Sequence, residues 1–259
     1  MIDSHAHLNF RAFRHDVEQT ILEAQKQGIT DIIVPGAKID SSKKAIELAQ
    51  KFPCLHAAVG FHPHHVNEYT EDVGEKLTHL AQQKGVVAIG ECGLDYFHYG
   101  VTKDISLQPQ LQRNLLEFHL HLAHTYNLPI ILHCRDAWKD LFSCLSRFRA
   151  KKIRGVFHCW TGTKENVKKA LSYNFYISFS GILTYPQAHQ VHDSAKTVPL
   201  EKILVETDSP FLSPEGARHL RNEPKHVKII ANHLARIKST SFTQIEEQTT
   251  RNAQTLFKL

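Results

Sequence analysis

The sequence predicts an α/β fold, a (β/α)8 TIM barrel formed by residues 1–259 as a single domain. Short apolar, β-branched runs alternate with amphipathic stretches along the whole chain. The length matches the roughly 250 residues over which such barrels form as one unit. No linker, composition shift or low-complexity segment breaks the alternation. Serial strand-then-helix units imply a parallel sheet, because each crossover returns the chain to the same edge. There is no GxGxxG turn and no P-loop to favour an open nucleotide-binding sheet.

The elements follow in order. Ile2–His5 reads as the first strand, and Val17, Ile21, Leu22 and Ala24 behind it repeat at helical spacing. Thr30–Pro35 is the second strand, followed by a helix marked by Ala45, Leu48 and Ala49. Leu55–Phe61 is the third, with Leu77, Leu80 and Ala81 on the helix after it. Val86–Glu91, the fourth, precedes a longer helix outlined by Leu111, Leu115, Leu116, Phe118, Leu122 and Ala123. Pro129–His133, Gly155–His158 and Phe175–Phe179 follow, with helical stretches at 136–148, 164–171 and 186–198, the last having the weakest periodicity. Ile203–Glu206 closes the set before helices over 227–237 and 243–256.

A hydrophobic content of 42% supplies a large core. No apolar run reaches the roughly 18 residues of a membrane span, and the start of the chain reads as a strand rather than a signal peptide. These features lead us to expect a cytoplasmic protein, monomeric, with no membrane association and no obligate protein partner. The five cysteines have no CxxC spacing, which excludes a zinc knuckle or redox pair and fits a reducing compartment. Cys92, Cys134 and Cys159 directly follow the strand-end residues Glu91, His133 and His158, so strand alternation points them outward into the helix layer. The net charge of +5 is compatible with a polyanionic partner.

Chemistry-bearing residues cluster where strands end. His5 and His7, two apart, project to one side of the first strand. Glu91, His133 and His158 end the fourth, fifth and sixth strands, and Asp208 lies just beyond the eighth. In a parallel barrel all strands end at the same face, where active sites sit. Neutral imidazoles suit zinc and other first-row metals, whereas carboxylates also accommodate magnesium or manganese. The set therefore predicts two divalent cations (Mg, Mn or Zn) and a metal-dependent hydrolase. Glu91 is the natural bridge, with His5, His7 and Asp208 on one ion and His133 and His158 on the other. A cation pair lowers the pKa of a bound water and clamps a hydrolytic transition state, and Asp208 beside it can accept the proton.

The motifs DSHAHL, VGFHPH, GECGLDY, ILHCRDA, FHCWTGT, FYISFSGILTY, ETDSPFLSP, RNEP and TTRNAQTLF occur in that order from end to end. In this the chain resembles the TatD family of metal-dependent deoxyribonucleases, within the amidohydrolase-like barrel superfamily. The resemblance implies that His5, His7, Glu91, His133, His158 and Asp208 are the divalent-metal ligands. It also implies phosphodiester hydrolysis in DNA, as a 3′-5′ exodeoxyribonuclease acting on single-stranded or frayed 3′ ends with a hydroxide generated on the metals. The chain departs from the family where residues 217–224 lack the Gly and Lys of PxRGKRNEP, and where Trp160-Thr161 replaces the Phe-Ser of HCFSG. Both departures bear on substrate grip and leave the ligands intact.

The resemblance makes His62 a candidate to polarise the scissile phosphate or protonate a leaving oxygen, and the alternative is a loop-ordering role. His64 is open between function and structure, and His65 reads as solvated. Glu206, two before Asp208, shares its face and either orients a metal-bound water or a ligand, or pairs with a basic neighbour. Arg135 either holds a phosphate or pairs with Asp95 or Asp136, while Arg218 and Arg221 are further phosphate candidates. Tyr96, Phe97, Tyr99, Trp160 and Tyr185 fall in loops at the mouth, where they stack on bases or pack. Gly90 and Gly93 are expected to allow close backbone approach beside Glu91. Two other readings remain open: an esterase or amidohydrolase on a small substrate or aminoacyl-tRNA, and a non-catalytic nucleic-acid-binding scaffold.

Overall fold

A computed structural model describes residues 1–97 and 108–259. Its eight strands are β1 (Ile2–Asp3), β2 (Asp31–Pro35), β3 (Leu55–Val59), β4 (Val86–Asp95), β5 (Ile130–Arg135), β6 (Gly155–Phe157), β7 (Tyr176–Phe179) and β8 (Ile203–Val205). They pair in chain order, and every pair is parallel. Hydrogen bonds from Ser4 N–H to the Val205 carbonyl (3.1 Å) and from Asp208 N–H to the His5 carbonyl (2.9 Å) join the first and last strands. The buried Asp3 carboxyl reinforces that seam by accepting from the N–H and Oγ1 of Thr207 at 2.9 and 2.6 Å. The predicted (β/α)8 barrel is the fold observed.

The helices are α1 (Val17–Lys26), α2 (Ile39–Lys51), α3 (Glu71–Leu80), α4 (Gln108–Thr125), α5 (Trp138–Arg147), α6 (Lys164–Ser172), α7 (His189–Thr197), α8 (Val227–Ile237) and α9 (Phe242–Phe257). Several begin where a side-chain oxygen caps the first turn. Thr70 accepts from Val73 N–H, Ser241 accepts from Gln244 N–H, and Thr163 forms a capping box with Asn166. The 186–198 stretch, weakest in periodicity, is helical only over α7.

The two ends of the barrel differ in chemistry. Ile2, Ile33, Ala58, Ala88, Ile131, Val156 and Leu204 form an apolar cluster with Ala253, Leu256 and Phe257 of α9, which plugs one end. Each fully buried Leu or Phe there contributes about 1.5–3 kcal/mol. Two residues further on, at or just past the strand ends, stand His133 after Ile131, His158 after Val156 and Glu206 after Leu204, with Asp208 two residues beyond Glu206. The period-two pattern thus turns an apolar plug into a polar mouth.

β4 departs from that regularity. It continues four residues past Glu91 to Asp95, and its register against β5 shifts between Ile89 and Cys92. Gly90 and Gly93 carry the irregular stretch at φ of +143° and +147°. A Cβ on Gly93 would stand 2.0 Å from the His133 carbonyl oxygen, so glycine there permits β4 and β5 to approach.

The loop after β3 is pinned by an interior imidazole. His119 of α4 is fully buried; Nδ1 donates to the Leu115 carbonyl (2.7 Å) and Nε2 accepts from Phe61 N–H (3.1 Å). Burial lowers its pKa to about 4, so it is neutral near pH 7. The unfolded chain takes up this proton between about pH 6.5 and 4 while the folded chain does not, so stability is full above 6.5 and declines as pH falls through that window. From pH 7 to 5 this group should remove about 2 kcal/mol. Denaturant titrations of the native protein and His119→Gln at both pH values should show the variant less stable at pH 7 and its pH dependence smaller by that amount.

Candidate metal centre

Ten titratable side chains meet at the mouth, and their placement follows from the strand ends. His5 and His7 come from the segment after β1, His62 and His64 from the loop after β3, Glu91 and Asp95 from β4, and His133 from β5. His158 follows β6, and Glu206 and Asp208 follow β8. They surround Glu91, which is 3% exposed.

Two donor groups share that carboxylate. On one side His5 Nε2 and His7 Nε2 lie 3.2 Å apart, and each approaches Glu91 Oε2, at 3.3 and 3.4 Å. Asp208 Oδ1 completes this group at 3.7 Å from His5 and 3.5 Å from His7. On the other side His158 Nε2 and His133 Nδ1 lie 2.9 and 3.1 Å from Glu91 Oε1 and 3.2 Å from each other. Donors about 2.0–2.1 Å from a tetrahedral ion stand roughly 3.3–3.4 Å apart, so both groups have the spacing of a cation's ligand shell. Facing imidazole nitrogens cannot both donate hydrogen along one line, whereas a cation satisfies all their lone pairs at once. The residues fit divalent metal ions.

His62 is placed differently. Its Nε2 is 3.2 Å from Glu91 Oε1, close enough to join the second group. Its Nδ1, however, accepts the His64 N–H at 3.1 Å. A neutral imidazole accepting at Nδ1 carries its proton on Nε2, and burial lowers the His62 pKa to about 4, keeping it neutral. His62 therefore presents an N–H to the centre and not a lone pair.

The electrostatics of the remaining groups are mutual. Burial would raise the Glu91 pKa, but the imidazoles packed around it, His158 foremost, hold it well below the usual carboxylate range. Asp208 is likewise low despite burial, through His7 and His5. His7 rises to about 9, since Asp208 and Glu91 outweigh burial, and His158 stands well above its ordinary value through Glu91 and Glu206. Burial raises the Asp3 carboxyl to about 8.

Behind the donors sit further acceptors. Glu206 Oε1 is 3.3 Å from His158 Nδ1 and accepts from Cys159 N–H at 2.7 Å. Asp95 Oδ2 lies 2.9 Å from His133 Nε2 and 2.8 Å from His64 Nε2. From the sequence, Asp95 stands out only as a partner for Arg135. The available signal was parity, because Asp95 lies four residues after Glu91 and the strand runs on.

A cavity of about 810 Å³ opens above the donors, with His64, Phe97, Arg135, Trp138 and Phe211 in its walls. The Arg135 guanidinium lies 3.7 Å from the Phe97 ring centroid. Arg218 and Arg221 do not line this cavity. Arg218 stacks on Tyr185 at 4.1 Å, and Arg221 pairs with Asp16 at 2.6 Å and Glu223 at 3.2 Å. Trp160 is buried, its indole N–H donating to the Gly162 carbonyl at 3.0 Å, so it packs and does not stack on a base. Tyr96 donates to Asp140 and Tyr185 to the Ser213 carbonyl. Tyr99 lies outside the described residues. His65 is half-buried, 3.3 Å from Glu68, rather than fully solvated.

One cysteine corrects the alternation argument. Cys92 joins the main apolar cluster, as expected, and so does Cys134, which also borders the cavity; Cys159 lies outside that cluster and lines the cavity, with Sγ 3.2 Å from Ser180 Oγ. β6 ends at Phe157 and Cys159 has φ of +45°, so the strand period no longer governs its direction.

Comparison with known proteins identifies the family. The family described as TatD related DNase matches residues 2–258. The chain is 36% identical over 259 residues to the uncharacterized metal-dependent hydrolase YabD of Bacillus subtilis (strain 168), covering 100% of this chain and 99% of that protein. It is 32% identical over 263 residues to the 3'-5' ssDNA/RNA exonuclease TatD of Citrobacter rodentium, with 99% and 97% covered. The crystal structure of YJJV, a TatD homolog from Escherichia coli K12, superimposes with a TM-score of 0.92 at 29% identity, covering 100% of this chain and 98% of that one. The chain belongs to the TatD family and is a metal-dependent hydrolase.

Proposed function

We propose that this hydrolase holds two divalent cations and cleaves phosphodiester bonds at single-stranded or frayed 3′ ends of DNA, acting as a cytoplasmic monomer. The observation that carries the cation pair is the division of Glu91, whose Oε2 faces His5 and His7 and whose Oε1 faces His133 and His158. Asp208 completes the first set. Imidazole and carboxylate donors together suit zinc or manganese and tolerate magnesium. The nuclease assignment draws support from the relative named as a 3'-5' exonuclease and from a cavity roomy enough for a nucleotide. Among the described residues no helix is long and apolar enough to cross a membrane.

When bound, such cations polarise a phosphoryl oxygen and lower the pKa of water. The chain's own groups do the rest. Asp208 has Oδ1 directed at His5 and His7, so Oδ2 accepts the proton of the attacking water. His62, with its proton on Nε2, donates a hydrogen bond to the phosphoryl oxygen as charge builds there. Glu206 fixes the His158 ring from behind. Arg135, at the cavity wall, takes the phosphate next to the scissile one.

Purified protein loaded with Mg, Mn, Zn or Co should release mononucleotides from a 3′-labelled single strand. An intact strand under all four, with turnover of a carboxylic ester, would replace the nuclease reading by an esterase. Glu91→Ala should reduce bound cations below two per chain by elemental analysis, leave the circular dichroism spectrum unchanged, and lower kcat on the order of 10³-fold. His62→Ala should keep both cations while kcat falls about 100-fold; loss of a cation in that variant would make His62 a ligand instead.

A further inference from the structure

The histidines around Glu91 do not all offer the same nitrogen. His5, His7, His62 and His158 turn Nε2 towards the carboxylates, whereas His133 turns Nδ1, 3.1 Å from Glu91 Oε1. The reason lies on the far side of its ring, where Nε2 is 2.9 Å from Asp95 Oδ2. A carboxylate only accepts, so it fixes the His133 proton on Nε2 and leaves the Nδ1 lone pair for the centre.

Asp95 is held as a rigid part. Gln112 of α4 grips its backbone from both sides, Oε1 accepting the Asp95 N–H at 2.8 Å and Nε2 donating to the Asp95 carbonyl at 2.9 Å. Asp95 Oδ1 accepts from Phe97 N–H at 3.0 Å. Oδ2 is shared between His133 and His64, and the side chain of Asp95 is 1% exposed. Gln112 is itself 4% exposed, so the clamp sits inside the α4–β4 packing. Glu206 makes the matching contact on the other second-group histidine through the opposite nitrogen, Nδ1 of His158.

We propose that Asp95, clamped by Gln112 and braced by His64, is a positioning residue that commits His133 to binding through Nδ1 and so forms the second of the two cation positions. This rests on the two-cation reading above. Asp95 acts on one group only, since its carboxylate touches neither His5, His7 nor Asp208, and this asymmetry distinguishes positioning from general support of the fold.

The test reads cations, not turnover. Metal-stripped native protein and Asp95→Ala are titrated with Zn²⁺ by calorimetry, with stoichiometry checked by elemental analysis and folding by circular dichroism. The native protein should bind two ions. Asp95→Ala should bind one with native affinity and the other 10–100-fold more weakly. Two ions at native affinity in the variant, or equal weakening of both, would overturn the role of Asp95 and leave the two-cation reading standing. Fewer than two ions on the native protein would overturn both. Should Asp95→Ala not fold, long-range ¹H–¹⁵N correlation on the zinc-loaded native protein decides the point: His133 with Nε2–H and a metal-shifted Nδ1 is expected, and His133 bound through Nε2 would refute the proposal.

Discussion

The mouth of the barrel is organised by one buried carboxylate. Burying an ion costs several kcal/mol unless other groups compensate it, and Glu91 is compensated on both oxygens by histidines from β1, β3, β5 and β6. Those side chains are 86 residues upstream to 67 residues downstream in the sequence, so only closure of the barrel brings them together. The seam between β1 and β8 is therefore part of the site. Asp3 ties Thr207 to the first strand, and the Asp208 N–H reaches the His5 carbonyl, which sets Asp208 beside His5 and His7.

The scaffold separates stability from chemistry along a single axis. At one end α9 fills the barrel with Leu256 and Phe257, and at the other the same strands present ionisable groups. Around the ligands, acceptors fix rings from behind: Asp95 on His133 and Glu206 on His158. His62 is fixed by a backbone N–H instead, which gives it the opposite hydrogen-bonding sense from its neighbours. A donor and several lone pairs thus face one cavity, the combination that binding a phosphate beside cations requires.

The sequence displayed whatever the strand period controls. His133, His158 and Glu206 stand two residues beyond apolar inward positions, and that spacing predicts their convergence; Asp208, past the end of β8 at φ of +57°, is placed by its backbone hydrogen bond to His5. Glu91 was readable as a strand-end acid, yet it lies within β4, where a register shift resets the alternation and carries the strand on to Asp95. Cys159 was misdirected by the same rule because it follows the end of β6 in a left-handed turn. Contacts between distant segments left no local signal. Arg221 meets Asp16 across 205 positions, and His119 pins the His62 loop from 58 residues away. Trp160 in a loop motif carries nothing to distinguish a packed indole from a stacking platform.

Crystals of the protein soaked in Mn²⁺ or Zn²⁺ and measured at the metal's absorption edge would locate the ions directly. Two anomalous peaks should appear, one beside each oxygen of Glu91, the first within reach of His5, His7 and Asp208 and the second of His133 and His158. A single peak, or peaks that leave Glu91 outside coordination distance, would contradict a shared carboxylate at the heart of the site.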